Sequence, residues 1–340
     1  MYLEMEYRQR CASRGLGEAA TEAALEVVRD LAAEEGGPDG WLGNVGPAAV
    51  ESFIARRVEA GRAGEDALVS LARYFLVLAA ADRGSAESAN SVTTLLYSYI
   101  SPIGILPAMS GRLASLHGED VRSRVVSDIA FPVPGSPPRA YAAPTAAFVA
   151  ALERELGAGA AHRVLAWNVH GVPPEAFAAE RAFFLAAPSI QAWLDGYHLR
   201  QVSVLEGHAA DGSLWFEQRI TRRVVEFVRE NPEILGGVVE GDRVLMTKIP
   251  YDPDRFLGSR DRLERRRLAC HCPLAASSIT ESGAGVASLW CSCSAGYEKF
   301  LLDVAFGEET RAEVLESVLG GDERCRFAVA IPPGLMPRRI

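Results

Sequence analysis

Five of the six cysteines, one of the six histidines and one of only two lysines fall between residues 270 and 325 of this 340-residue chain. They form three groups: Cys270-His271-Cys272-Pro273, then Trp290-Cys291-Ser292-Cys293 running on to Tyr297-Glu298-Lys299, and then Arg324-Cys325-Arg326-Phe327. Thiols in this number invite two chemistries. As soft ligands, Cys270, Cys272, Cys291, Cys293 and Cys325 are candidates to hold zinc; structural zinc sites more often use two intervening residues than one. On an extended strand, residues two apart share a face, so Cys270 and Cys272 would converge while His271 points away. As a nucleophile, Cys293 or Cys291 stands just before a predicted helix, whose unpaired N–H groups and dipole favour thiolate. His271 or Lys299 would then carry the proton and Glu298 would orient it. A third reading has the same cysteines filling a core of small residues, since free cysteine is among the most buried residue types.

Other residues could join such a site. Glu217, in Trp215-Phe216-Glu217-Gln218, is a candidate general base, with a solvated helix start as the ordinary alternative. Lys248 heads the rigid strand exit Lys248-Ile249-Pro250-Tyr251-Asp252-Pro253, and rigid loops often carry sites. Positive charge elsewhere is all arginine, so the two lysines mark positions where a compact ammonium is wanted. His170, before a Gly-Val-Pro turn, reads more readily as a helix cap than as a catalytic base. His198 and His208 are ten residues apart on one predicted helix, too far to share an ion, and each reads as structural.

These residues need elements to hold them. Apolar residues at helical spacing predict helices over 18–36, 50–60, 65–82, 88–100, 106–116 and 120–129. The first 135 residues are therefore expected to form an all-helical domain. Five prolines between Phe131 and Pro144 exclude helix and central strand, and the domain boundary is placed there, with residues 136–340 as the domain carrying the site. Helices follow over 145–156, 160–169, 188–207 and 215–230. The texture then changes: 243–249, 267–272 and 287–291 read as strands, 294–306 as a helix, and 314–319 with 325–331 as an antiparallel hairpin. The expected fold class is α+β, an all-helical region followed by an α+β region with a small antiparallel sheet.

Composition sets further bounds. An apolar fraction of 49% with 23% charged residues is that of a globular protein. No run approaches the ~20 uninterrupted apolar residues of a membrane span, and the acidic start Met-Tyr-Leu-Glu-Met-Glu is unlike a signal peptide. A cytoplasmic location follows, where cysteines stay reduced. The net charge of -9 argues against a nucleic-acid surface. Cys11 stands apart as a small buried residue. The expected partner is a small-molecule substrate, with no nucleic acid and no membrane, and a homodimer is compatible with the sequence.

The run Gly296…Gly307…Glu316-Ser317…Gly320…Cys325-Arg326-Phe327 resembles the closing segment of the L-2-amino-thiazoline-4-carboxylate hydrolase family and the related four-cysteine domain of the vinyl reductase type. With Phe216-Glu217-Gln218, the Lys248–Pro253 run and the two Cys-x-Cys pairs, the chain over residues 140–335 looks most like an uncharacterised bacterial family of cytoplasmic proteins. The resemblance implies an α+β ligand-binding fold and hydrolysis of a C–N or C–S bond in a small sulfur or nitrogen heterocycle, in a biosynthetic setting. The expectation is therefore an enzyme that uses metal-activated water or a thiolate. The rival expectation is a metal- or redox-sensing binding protein in which the same thiols respond without catalysis.

Overall fold

The computed structural model describes residues 3–37, 40–82, 84–280 and 285–335. The chain is 62% helical with one small antiparallel sheet, an α+β protein. It divides into two compact units, residues 1–103 with 132–140, and residues 104–131 with 141–340. The chain thus crosses between units three times, not once near residue 135. Two packing demands cause this. The proline-rich segment returns to the first unit, where Gly135, at φ +85°, lies against the side chains of Val58, Ala63 and Ile54. Ile105, Leu106, Met109 and Leu113 instead bury themselves with Phe148, Leu152 and Leu165 of the second.

The first unit is helical: α1 Glu4–Ser13, α2 Glu18–Glu35, α3 Pro47–Glu59, α4 Glu65–Ala81 and α5 Ala86–Ile100. Each buries one apolar stripe, and Tyr7, Leu25, Leu31, Phe53, Tyr74 and Phe75 are wholly enclosed in one core. Cys11 is buried among them, as its isolation in the sequence implies.

The second unit opens with α6 Ile105–His117, α7 Glu119–Val126, α8 Ala142–Leu156, α9 Ala158–Leu165, α10 Ala178–Ala186, α11 Ile190–Asp211 and α12 Arg222–Arg229. The sheet-bearing part follows with β1 Val238–Glu240, β2 Arg243–Thr247, α13 Pro253–Gly258, α14 Arg262–Ala269, α15 Ser292–Phe306, β3 Ala312–Glu316 and β4 Arg326–Ala330. The strands run in the order β1-β2-β4-β3, all antiparallel, with Met246 opposite Phe327 and a register shift between Val314 and Glu316. Val244, Met246, Phe327 and Val329 pack with Trp193, Leu302 and Phe306 in one buried cluster, so the sheet and α15 share a core. Among the described residues, one helical stretch, 86–117, is long and apolar enough to cross a membrane by length and composition. It is broken between α5 and α6, where Gly104 takes φ +80°.

Two expected strands are absent. Residues 262–269 form α14, started by the Asp261 carboxylate, which accepts the Glu264 N–H at 2.7 Å. Residues 288–291 form a single tight turn that runs directly into α15. The expected strand over 267–272 begins inside the last turn of α14, and that over 287–291 becomes the turn that leads into α15. The helix expected over 215–230 is also shorter: Trp215 and Gln218 close a two-bond turn, and α12 begins after Thr221, whose hydroxyl caps it. The strand at β2 and the β3–β4 hairpin lie where the pattern placed them.

One glycine fixes how α15 sits. A methyl added at Gly296 would overlap the backbone nitrogen and carbonyl of Trp167, so only glycine lets α15 approach the chain after α9 this closely. Gly296→Ala is expected to destabilise the protein by roughly 1–3 kcal/mol, the usual cost of overpacking a rigid contact. Urea unfolding with an unchanged slope and a lower midpoint is the expected result, and an unchanged midpoint would show that α15 does not depend on this approach.

Candidate functional site

Lys248 is the residue on which the candidate site is built. It follows β2, and its backbone N–H donates to the carbonyl of Cys325 at 2.9 Å, which sets it at the end of the two central strands. Its Nζ lies 3.6 Å from Glu298 Oε1, with the two side chains only 14% and 18% exposed. The same ammonium stands 5.2 Å from the ring centre of Tyr297. Tyr297 and Glu298 belong to α15, whose first turn carries Cys293; Cys293 and Tyr297 are four residues apart and share a helix face.

Several titratable groups feel this one ammonium. Burial works to lower the pKa of Lys248, but the Glu298 carboxylate, the Tyr297 phenol and the Cys325 and Cys293 thiols outweigh it, and the net shift is upward. Lys248 is therefore a cation at neutral pH. Burial raises Glu298 despite its partner, and burial also raises Glu217, which Lys248 draws back down. Two carboxyls held above their ordinary range beside one cation are the pattern that general acid–base chemistry uses. Tyr251 is pushed up by burial and then by Glu217. His170 is lowered by burial and then by Lys248, and its ring stands edge-on to Tyr297 at 5.4 Å.

His271 differs from the proton carrier expected of it. Its Nε2 donates to the Ile249 carbonyl at 2.6 Å and its ring meets Tyr251 edge-on at 5.4 Å. Burial, then Lys248, lowers its pKa to about 3. It is a neutral ring that positions the strand exit. Lys299 is also elsewhere: it is buried, 2.5 Å from Asp303 and 3.5 Å from Glu309. Asp303 in turn accepts from the Thr310 N–H and hydroxyl, so Lys299 ties α15 to the start of β3. One residue of sequence separates it from Glu298, and the ~100° helical step turns it away.

The thiols gather, but in two directions. Cys293 lies in the field of Cys272, both lie in that of Lys248, and Cys272 accepts from the Trp290 indole N–H at 3.2 Å. Cys291 instead accepts from the Ser317 hydroxyl at 2.9 Å, and its ionisation is tied to that of Cys325. Cys270 sits within the fields of Cys272, Cys325 and Lys248. The cause of the division is local structure: two residues along a helical turn rotate by ~200°, so Cys291 and Cys293 point apart where strand geometry would have aligned them. Among the described residues, no three His, Cys, Asp or Glu side chains converge as a ligand set for a metal ion. As they stand, the residues expected to hold zinc do not form its site.

Burial also reverses the expected activation of Cys293, and with Cys272 pushes it up to about 12 although Lys248 acts the other way; Cys270 and Cys272 are raised by burial as well. Cys325 alone of the five is lowered, by Cys291 first, whose own pKa rises correspondingly. Tyr297 was given no role in sequence, although the spacing of four from Cys293 to Tyr297 was there to find. His198 donates to the Ile234 carbonyl at 3.0 Å and His208 bonds Ser213, which are structural roles.

The profile of the Family of unknown function (DUF6144) matches residues 262–333, the stretch that holds all five cysteines, Tyr297 and Glu298. No curated protein and no solved structure matches the chain.

The Lys248–Glu298 pair yields a test with a defined sign. Lys248→Met leaves Glu298 buried without its cation and is expected to cost roughly 3 kcal/mol at neutral pH. Adding Glu298→Gln to the same chain is expected to recover most of that loss. A raised carboxyl favours the folded state while protonated, and that contribution fades as pH climbs from 4.5 through its folded pKa. Without Lys248 the folded value rises further, so the single variant should lose stability over a wider and higher pH window than the parent. Parallel pH profiles of unfolding for the two proteins would remove the coupling inferred here.

Proposed function

We propose that this protein is an enzyme that opens a C–N or C–S bond of a small, anionic sulfur- or nitrogen-containing heterocycle by hydrolysis, at the site around Lys248. The observation that carries this reading is the cost of the arrangement. An ammonium and two raised carboxyls have been drawn into one largely desolvated place beside five thiols, where apolar residues would serve folding better. The resemblance of the closing segment to the thiazoline-carboxylate hydrolase group supports the same substrate class.

The roles follow from the geometry. Lys248 holds the substrate's anionic group and offsets charge that develops on the ring. Cys293 is a thiol at neutral pH, so its proton must leave as its sulfur attacks the ring carbon; Glu298 or Glu217, each raised toward neutrality, receives it. The same carboxyl returns the proton to the departing ring nitrogen or sulfur, and water then releases the product from Cys293. Tyr297, partly exposed and in contact with both His170 and Lys248, lines the way in. Free thiols fit a reducing compartment, and we place the protein in the cytoplasm.

A second reading is favoured by the gathering of Cys270, Cys291 and Cys325: the thiols hold zinc, for structure or sensing, after side-chain rotations that bring a third or fourth sulfur onto one ion. Elemental analysis of the purified protein separates the two. One zinc per chain, with loss of fold on chelation, would move the thiols out of the chemistry proposed above.

The enzyme reading is tested by incubating the protein with 2-aminothiazoline-4-carboxylate and a set of carboxylated thiazolines and imidazolines, following ring opening by mass spectrometry. Turnover is expected for at least one of them. Glu298→Gln is expected to slow it by about 10²-fold or more, and Cys293→Ser to abolish it. Absence of turnover across the set, or full activity in Cys293→Ser, sinks the proposal.

A further inference from the structure

We infer that Ser292 and His162 form a nucleophile–base pair, a second reactive site apart from the one around Lys248, which takes up the acyl group of a small uncharged or cationic ester. His162 lies on α9, and its Nδ1 stands 2.8 Å from the Ser292 hydroxyl at the start of α15. Its Nε2 stands 2.8 Å from the carbonyl of Ala312, the first residue of β3. A carbonyl only accepts, so Nε2 carries the ring proton, and in the neutral ring Nδ1 keeps the lone pair. The Ser292 hydroxyl therefore donates to Nδ1. An activated serine needs this order: the nucleophile bonded to a base, and the base oriented by a third group.

The fold sets the pair in place. A side chain at Gly296 would meet the backbone of Ala166 and Trp167, just after α9. One turn back from Ala166 stands His162, and one turn back from Gly296 stands Ser292. The close approach that glycine permits thus also brings the imidazole to the hydroxyl. Ser292 adjoins Cys293 in the chain, but the ~100° step between helix neighbours turns it to another face of α15.

A cavity of about 540 Å³ is lined by both His162 and Ser292, together with Leu289, Val314, Glu313 and Asp322. Its volume suits a small organic ligand. Among the described residues no Lys or Arg lines it and two carboxyls do, so it disfavours the anionic group that Lys248 attracts. The pair does not rest on the hydrolytic reading of the Lys248 site.

The chemistry balances with water as the only co-reactant. The Ser292 oxygen bonds to the ester carbonyl carbon as its proton passes to His162 Nδ1. The carbon–oxygen bond to the alcohol then breaks, and the alcohol leaves with that proton. Water, giving its proton to the same nitrogen, releases the acid, and the proton returns to Ser292. One ester and one water yield one acid and one alcohol.

The experiment uses the full wild-type chain and an ethyl fluorophosphonate, a phosphorus electrophile that activated serines take up with loss of fluoride. Labelled protein is digested and mapped by mass spectrometry. The expected product is a single phosphonate adduct on Ser292, absent when the chain is unfolded before the reagent is added. His162→Asn leaves a side-chain oxygen to accept from Ser292 but cannot take its proton, so labelling should slow by about 10²-fold or more while the circular dichroism spectrum is unchanged. A histidine that only ties α9 and α15 to β3 predicts no adduct on Ser292 in the wild-type protein under conditions that fully label a serine hydrolase control, and that result overturns the inference. So does undiminished labelling in His162→Asn. The wild-type map decides the matter even where the variant does not fold.

Discussion

A single ion pair, Lys248 with Glu298 at 3.6 Å, joins the two parts of the second unit that matter most, the end of the central strands and the helix α15. A buried pair of this kind contributes little net stability against apolar side chains of equal volume, but it is strongly directional and severe toward the loss of either member. Its presence therefore constrains everything around it. β2 must end where the ammonium can reach α15, and the Pro250 that follows stops the strand there. α15 must come close enough to present Glu298, which the absence of a side chain at Gly296 allows. Asp303, paired with Lys299 within α15, accepts from the Thr310 N–H and hydroxyl, which holds the helix against the segment before β3.

The thiols are arranged by this same frame. Burial raises the pKa of Cys270, Cys272 and Cys293, and Cys291 is raised by Cys325 first and burial second. Against that background two influences stand out. Lys248 draws on Cys293, Cys272 and Cys325, and Cys291 favours the ionised form of Cys325. The result is two groups of thiols: Cys293 and Cys272 in the field of Lys248, and Cys291 with Ser317 and Cys325. Both groups feel the one cation, through Cys293 and Cys325.

Much of this was legible in sequence, and the failures have a common cause. Helices with complete apolar stripes, such as α2 and α4, were placed within a few residues, as were β2 and the β3–β4 hairpin, whose alternation and turn residues agree. The stretches at 267–272 and 287–291 were misread because a short amphipathic helix or turn and a short strand present the same few apolar residues. Asp261 three residues before Glu264 was the signal that decided α14. The unit boundary was misplaced for a different reason: proline content marks a break in secondary structure, whereas the side chains around Gly135, and those of Ile105 to Leu113, decide which core each segment joins.

That local misreading propagated into the chemistry. Two Cys-x-Cys pairs on strands would have aimed four sulfurs to one side, which is the geometry behind a shared zinc ion. Placed on a helical turn, Cys291 and Cys293 diverge by about half a revolution, and each finds its own company: Ser317 and Cys325 for the first, Cys272 and Lys248 for the second. The spacing of the cysteines is the same in both cases; the backbone conformation between them changes what the motif can do. For a motif of two ligands one residue apart, the secondary structure beneath it carries as much chemical information as the ligands themselves. Here the helical turn sends Cys291 toward Ser317 and leaves Cys293 in the field of Lys248.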